Sequence, residues 1–502
     1  MTPARVYAAA ALTAIVVYAG ALANGYVLDD ISIIVRNPIV QDPAGFWRAF
    51  LVPYWESFGG GAHRPLAVAT YWADARVDGA PWFHLMNLLW HAGATVAVTA
   101  LARRWVGLEA ALAAGLLFAV HPVHVEAVAN IVGRAELMAA LFACLAVYAA
   151  LVRGSVAWSA AALVGGLLSK ESAAVVAGLV AWGWLIGIGR PSRRKGAAFV
   201  AVWLVVGAAY AVMRWSVLHP YERFHATASV FVGEDPISVR LTAVAALADV
   251  LRLLVFPLHL RADYSPAERT IVHSPLDPRF LLGLACLALW ATLLVLAWRR
   301  RRMVELLGLG WVAIAFLPVA NLLFPVGILV AERTLYLPSV GLVLAAGASL
   351  TRLPARRWAT LLGLLVLACG VRTAARVPVW RSDERLTLSI LEDSPDSFTG
   401  PHRAADHVER AGELEKALGY LRIAIGQSAR DARPFYAAAD LAFTLGRPAL
   451  ADSMLARADA LCDRCAAYYE ARAARARARG DSATAQWLLE KARAWGEGGA
   501  PR

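Results

Sequence analysis

The sequence predicts an all-α protein in two parts: a polytopic membrane helix bundle over 1–379 and an α-solenoid of helical repeats over 380–502. Three observations predict it. Apolar residues make up 59% of 502 residues and mean hydropathy is +0.54, well beyond what a soluble domain carries. The apolar residues fall in long blocks with few charges, as membrane spans do. Beyond about Trp380 the composition turns to Ala, Arg, Glu and Leu, with a repeat 34 residues long.

Apolar blocks lie near 6–23, 85–102, 107–120, 136–152, 156–168, 172–188, 197–217, 280–298, 303–323, 336–350 and 358–374. They predict about eleven transmembrane helices. The first follows a single basic residue, Arg5, lacks a cleavage site and reads as a signal anchor. Arg5, Arg103–Arg104, Arg153, "RPSRRK" at 190–195, "RRRR" at 299–302 and "RLPARR" at 352–357 mark the cytoplasmic loops. With the N-terminus inside, eleven crossings satisfy every one of them. The condition is that 238–259, which carries Arg240, Asp249 and Arg252, lies at the interface rather than crossing. These same loop arginines account for much of the +12 net charge, so the basic balance carries no nucleic-acid reading. Two long segments, near 24–83 and 218–279, then face outside with the C-terminal part. Loops of this length are usually functional.

In the C-terminal part, Gly412, Gly446 and Gly480 repeat every 34 residues, with Ala417, Ala451 and Ala485 five positions on and Ala424, Ala458 and Ala492 twelve on. Glycine permits the tight helix–helix turn and alanine the close approach of paired helices. This is the tetratricopeptide signature, and such arrays offer a concave surface for a protein acceptor or partner. Five cysteines do not make a disulfide framework. Cys462 and Cys465 in "CDRC" share a helix face, to be packed or, in an oxidising compartment, bridged.

Polar groups collect at the outer ends of the apolar blocks. Asp29 and Asp30 close the first span. "HRPL" brings His63 and Arg64. "HPVHVEAVANIVGRAE" brings His121, His124, Glu126, Arg134 and Glu136. "SKES" brings Lys170 and Glu171, "LHLRADYSP" brings Asp263 and Tyr264, and "VAERTLYLP" brings Glu332 and Arg333. One such cluster alone reads as turn chemistry or snorkelling. All of them on one side of the membrane point to a reaction site, because ionisable groups near lipid are costly unless used. His121, His124 and Glu126 have the side chains of metal ligands without a zincin spacing, so a divalent metal stays open.

The runs "YVLDD", "HRPL", "FHLMNLLWH", "HPVHVEAVANIVGRAELMAALF", "SKES", "LLVFPLHLRADYSP" and "VAERTLYLPSVG", in this order, resemble the transmembrane and tetratricopeptide-repeat-containing O-mannosyltransferases of the glycosyltransferase C superfamily. The resemblance covers nearly the whole chain, with Ser172 standing where animal members tend to carry Gln. It implies a polyprenyl-phosphate sugar as donor and a Ser or Thr hydroxyl of an exported protein as acceptor, with the site and repeats on the lumenal or periplasmic side; the high Ala and Arg content and the compactness point to a bacterium, hence to the periplasmic side of an inner membrane. It implies Asp29 as general base, Asp30 as its orienting neighbour or a sugar ligand, and an inverting displacement. Arg64, Arg134, Lys170 and Arg333 are then the groups for the leaving lipid phosphate. His63, His121, His124, Glu126, Asp263, Tyr264 and Glu332 are further site candidates. Transfer to a lipid or envelope glycan is the alternative acceptor chemistry. A non-enzymatic scaffold built on the repeats is the alternative class, though a scaffold needs neither the carboxylates nor the outward arginines.

Overall fold

In a computed structural model of the chain, residues 2–55, 61–77, 79–219, 228–255, 257–265, 268–428, 430–461, 465–478 and 480–498 are described. Every regular element among them is helical. The protein is an integral membrane protein. Seven helices are long and apolar enough to cross a bilayer: Pro3–Ala23, Ala80–Val106, Ile131–Leu151, Arg193–Leu218, Pro278–Arg299, Glu332–Leu350 and Ala355–Arg381. Leu108–Ala119 and Pro122–Ala129 pass the same test only together, as a pair bent by 47° at His121 and its neighbours, where Pro122 ends the first helix; taken as one span they make an eighth. Val156–Ser169, Glu171–Leu185 and Met303–Val319 are apolar but shorter. The stretch 238–259 carries two short helices, Pro236–Ala245 and Leu247–Val255, the second with Val250, Leu253 and Leu254 turned inward and Arg252 at the surface side.

Burial sorts the spans into a centre and a rim. Ala80–Val106, Ile131–Leu151 and Glu332–Leu350 have 61–72% of their apolar stretch inside the protein, whereas Arg193–Leu218, Pro278–Arg299 and Ala355–Arg381 have 11%. Leu281, Leu282, Leu284, Leu287 and Leu289 are therefore a lipid-facing surface rather than a misplaced core. Hydrocarbon supplies no hydrophobic drive between helices, so close packing of small residues must do it. A Cβ on Gly308 would lie 2.3 Å from the carbonyl oxygen of Gly341, and one on Gly341 equally near that of Gly308, so these glycines let Met303–Phe316 and Tyr336–Leu350 touch backbone to backbone.

The last span ends in a 3-10 turn, Val377–Arg381, and leads into Asp383–Asp393 and three helix pairs: Thr399–Arg410 with Leu414–Gln427, Ala432–Thr444 with Pro448–Asp459, and Cys465–Ala478 with Ser482–Gly498. Gly412, Gly446 and Gly480 each lie between the members of a pair, with φ of 82°, 71° and 79°, a backbone shape that favours glycine. Ala417, Ala424, Ala451, Ala458, Ala485 and Ala492 are all buried. The pair Cys462 and Cys465 falls outside the described residues, since Cys462 is not among them and the side chain of Cys465 is not described.

Candidate active site

The polar clusters owe their placement to a recurring local device. A helix stops, one residue adopts an extended backbone, and the next helix starts with a 3-10 turn. His121 (φ −64°, ψ 121°), Asn130 (−93°, 127°) and Lys170 (−162°, 141°) are these extended residues, and Ala331 (−151°, 137°), at the end of a longer irregular stretch, leads into a 3-10 turn in the same way. Each break frees backbone groups and turns the neighbouring side chains off the apolar helix surface, a common feature of functional segments. The breaks deliver Glu126, Arg134, Lys170, Glu171, Glu332 and Arg333.

The first loop uses another device. Leu28 has φ of 50°, rare for a side chain other than glycine, and Ile31–Val35 winds as a π-helical turn directly after the acidic pair. The two aspartates part here. Asp30 is fully buried. Its Oδ2 accepts from the Val27 N–H at 3.1 Å and its Oδ1 from the Val132 N–H at 2.9 Å, so it ties the loop to the start of a central span. Burial pushes its carboxyl up to about 7, against the pull of those two N–H groups. Asp29 opens to solvent and, among the described residues, has no hydrogen-bond or ion-pair partner. It is nonetheless enclosed by protein on most sides. That desolvation raises its carboxyl above the ordinary range, while Arg333, Arg403 and Arg64 pull it down and Glu126 pushes it up.

The cationic candidates divide by exposure. Arg333 keeps 34% of its side-chain surface, Arg64 18% and Lys170 14%, whereas Arg134 keeps none. Each of the first three is paired with a glutamate. Arg64 grips Glu171 through two hydrogen bonds of 3.0 and 3.3 Å with its face on the Tyr54 ring, Lys170 meets Glu136, and Arg333 meets Glu126, whose other oxygen accepts the Arg333 N–H at 2.8 Å. Arg134 is spent inside: it pairs with Asp74, donates to Asn87 Oδ1 at 2.8 Å, the Phe83 carbonyl at 3.0 Å and Thr70 at 3.2 Å, and lies against the Tyr71 ring. A guanidinium sealed this way has no face left for a phosphate, which corrects its assignment to the leaving group.

The histidines are also structural. His63 is buried and donates to the Phe50 carbonyl, and burial lowers its pKa. His121 bonds the Leu254 carbonyl at 2.9 Å and His124 the Ser339 hydroxyl at 2.7 Å, in a hub with His91, Phe118 and Tyr336. With Glu126 engaged by Arg333, these three do not converge on a metal. Among the described residues, the one grouping of three metal-ligand side chains is Glu234, Asp235 and His273, elsewhere in the second long segment. Glu332 is buried, accepting from the Tyr264 hydroxyl at 2.9 Å and the Arg261 N–H at 2.6 Å, and burial raises the Tyr264 pKa. Asp263 holds Ser397, its backbone carbonyl holds Ser394, and so the second long segment is pinned to the start of the helix pairs.

A cleft of about 220 Å³ opens beside Glu126 and Arg333. Asp263, Tyr264 and residues 327–331 line it from the part that carries the spans, and Phe398, Thr399 and Arg433 from the C-terminal part. Phe398, Arg403 and Arg433 come from the part that the sequence marks only as repeats. Asp29, an unpartnered carboxylate with raised basicity, can take a proton, and the partly exposed cations Arg64 and Arg333 that act on it can steady a developing anion.

No family model matches the chain. Among characterised proteins it is similar to Protein O-mannosyl-transferase TMTC3 of Mus musculus, 28% identical over 451 residues, and TMTC4 of Homo sapiens, 29% over 479. These alignments cover 80% and 81% of this chain, and 49% and 64% of the relatives. The chain thus spans about half to two thirds of their length. Tmtc2 of Drosophila melanogaster is 42% identical over 135 residues, 25% of this chain and 14% of that one. The crystal structure of ArnT from Cupriavidus metallidurans bound to undecaprenyl phosphate aligns over 93% of this chain and 81% of that one, at 15% identity and a TM-score of 0.42.

Proposed function

From its distant homology to the protein O-mannosyl-transferases, we propose that this integral membrane protein is a glycosyltransferase of the glycosyltransferase C type. It transfers a hexose, mannose first among them, from a polyprenyl-phosphate carrier to a Ser or Thr hydroxyl of an exported protein. The observation that carries this reading is Asp29: a solvent-open carboxylate without a partner among the described residues, under the influence of Arg64, Arg333 and Arg403.

In the reaction, the acceptor oxygen attacks the anomeric carbon as the bond from that carbon to the phosphate oxygen breaks. Asp29 takes the hydroxyl proton, the lipid phosphate leaves with the bonding pair, and the anomeric centre inverts. Arg64, Lys170 and Arg333 steady the charge that develops on the leaving phosphate. Asp30 fixes the backbone that carries Asp29. The acceptor enters by the cleft between Arg333 and Arg433, and the helix pairs, read as a tetratricopeptide solenoid over 380–502, present it. Eleven crossings over 1–379, with the basic loops inside, put this chemistry on the periplasmic side of a bacterial inner membrane.

The test is release of polyprenyl phosphate by the purified protein given polyprenyl-phosphate-mannose and a Ser/Thr-rich peptide. Asp29→Asn keeps size but not basicity, and turnover should fall at least about a hundredfold, the lower scale for losing a general base. Donor binding should survive. Full turnover by Asp29→Asn sinks the base assignment. Transfer to a lipid or glycan acceptor, with none to peptide, would move the reading to envelope glycans.

A further inference from the structure

The loop that carries Asp29 is held by a segment over three hundred residues away in the chain. Asn24 Nδ2 reaches the Val377 carbonyl at 3.4 Å, the Gly25 N–H donates to the Arg381 carbonyl at 3.0 Å, and the Leu28 N–H donates to Asp383 Oδ1 at 3.3 Å. The last bond falls on the residue with the left-handed backbone, immediately before Asp29. On the other side of that residue, the Asp30 carboxylate fastens Val27 and Val132. Leu28 thus sits between two clamps, and one of them is Asp383.

Asp383 is itself fixed from the far side. Arg403 pairs with it, and His407 and Arg410 stand 3.7 Å away, all three on Thr399–Arg410, the first helix of the paired array. Burial works against its charge, but Arg403, the Leu28 N–H and His407 outweigh burial and hold the carboxyl below the ordinary range. One side chain therefore joins three pieces: the loop after the first span, the turn after the last, and the start of the helix pairs.

We infer that Asp383 is a positioning residue for Asp29, keeping Leu28 in the left-handed turn that sets where the Asp29 carboxylate stands relative to Arg333, Arg403 and Arg64. This rests on Asp29 being the general base. Asp383 touches no substrate and acts only through the Leu28 backbone. A left-handed leucine persists where its surroundings over-determine it. Without the Asp383 bond the turn relaxes toward ordinary backbone angles and the base leaves its line of attack.

The test uses the full-length protein in lipid nanodiscs, with the mannose-donor assay. Asp383→Ala should lower kcat about tenfold or more, the scale of a misaimed group, with donor KM within about twofold. Asp383→Asn keeps a carbonyl oxygen for the Leu28 N–H and should retain most of kcat. Adding Leu28→Gly to Asp383→Ala should restore much of it, because glycine holds positive φ unaided. Leu28→Val leaves Asp383 in place and should by itself lower kcat, since a β-branched residue resists that turn; it carries the test if Asp383→Ala does not fold. Amide hydrogen exchange at 26–32, followed by mass spectrometry without donor, should quicken in Asp383→Ala. That readout stands whatever the sugar is. Wild-type kcat in Leu28→Val, wild-type exchange in Asp383→Ala, or a loss that Leu28→Gly leaves untouched overturns the inference. Asp29→Asn run alongside separates the two ideas. If it is fully active, the base assignment fails. If it is dead while Asp383→Ala turns over normally, only the positioning role fails.

Discussion

At the scale of the residue, the two adjacent aspartates divide the work by what their oxygens meet. Asp30 is consumed by backbone N–H groups, whereas Asp29 is open to solvent and without a partner among the described residues. The pH dependence of the proposed reaction follows from that contrast. A base acts only when ionised, and the Asp29 pKa is raised by burial. Activity should therefore fail, as pH drops, at a higher pH than an ordinary carboxylate gives. The charges facing Asp29 are Arg333, Arg403, Arg64 and Glu126. Three of them hold its pKa down, so Arg403→Gln should carry the acid limb of kcat/KM further up. A pH–rate profile of that variant beside wild type checks this, and an unmoved or lowered limb contradicts it. Sequence alone gives Asp29 its prominence, because a doubled charge after an apolar run is conspicuous. It cannot give Asp383, although "SDERL" also puts an acid just after an apolar span. Nor can it give Arg403, which lies in a stretch where arginine is common.

At the scale of the element, the helices owe their tight packing to glycine rather than to large apolar side chains. Gly308→Ala drives a methyl group onto the Gly341 carbonyl. It should cost about 1–3 kcal/mol, as overpacking does, read as a lower melting temperature in detergent. An unchanged melting temperature would mean that the two helices separate freely. The apolar blocks are legible in the sequence because backbone in hydrocarbon must bond to itself, which leaves the helix as its form. The 34-residue register is legible because its glycines occupy left-handed turns. The extended breaks at Lys170 and Ala331 are not, since neither residue type marks a helix end. For the same reason the burial of Arg134 against Asp74 stays hidden: Asp74 lies in "TYWADARV", sixty residues earlier, and charge alone does not say which arginine is spent inside.

At the scale of the whole molecule, the proposed arrangement makes a topological claim. In a background without the five native cysteines, single cysteines at Arg194 and Arg301 should react with an impermeant thiol reagent only after cells are opened. A cysteine at the exposed Lys416 should react in intact cells. Protection of position 416 in intact cells would turn the repeats, and the cleft they border, to the wrong side. The second long segment is already bound to the array through Asp263 with Ser397, and through Glu234 with Arg430. Membrane part and helix pairs therefore share contacts rather than a free linker.

The glutamate beside each exposed cation has one more consequence. Arg64, Lys170 and Arg333 each stand neutralised by Glu171, Glu136 and Glu126. In the proposed reaction a lipid phosphate arriving there does not fill an empty electropositive hole. It enters an exchange, in which a carboxylate loosens its hold as the phosphate takes one up. Net affinity is then a difference between two similar attachments, and so stays modest. The same carboxylates wait to recapture the cations once the sugar has gone, so the spent carrier is pushed out by its own competitors. In the proposed reaction a site of bare arginines would hold its product, whereas these paired cations would let it go.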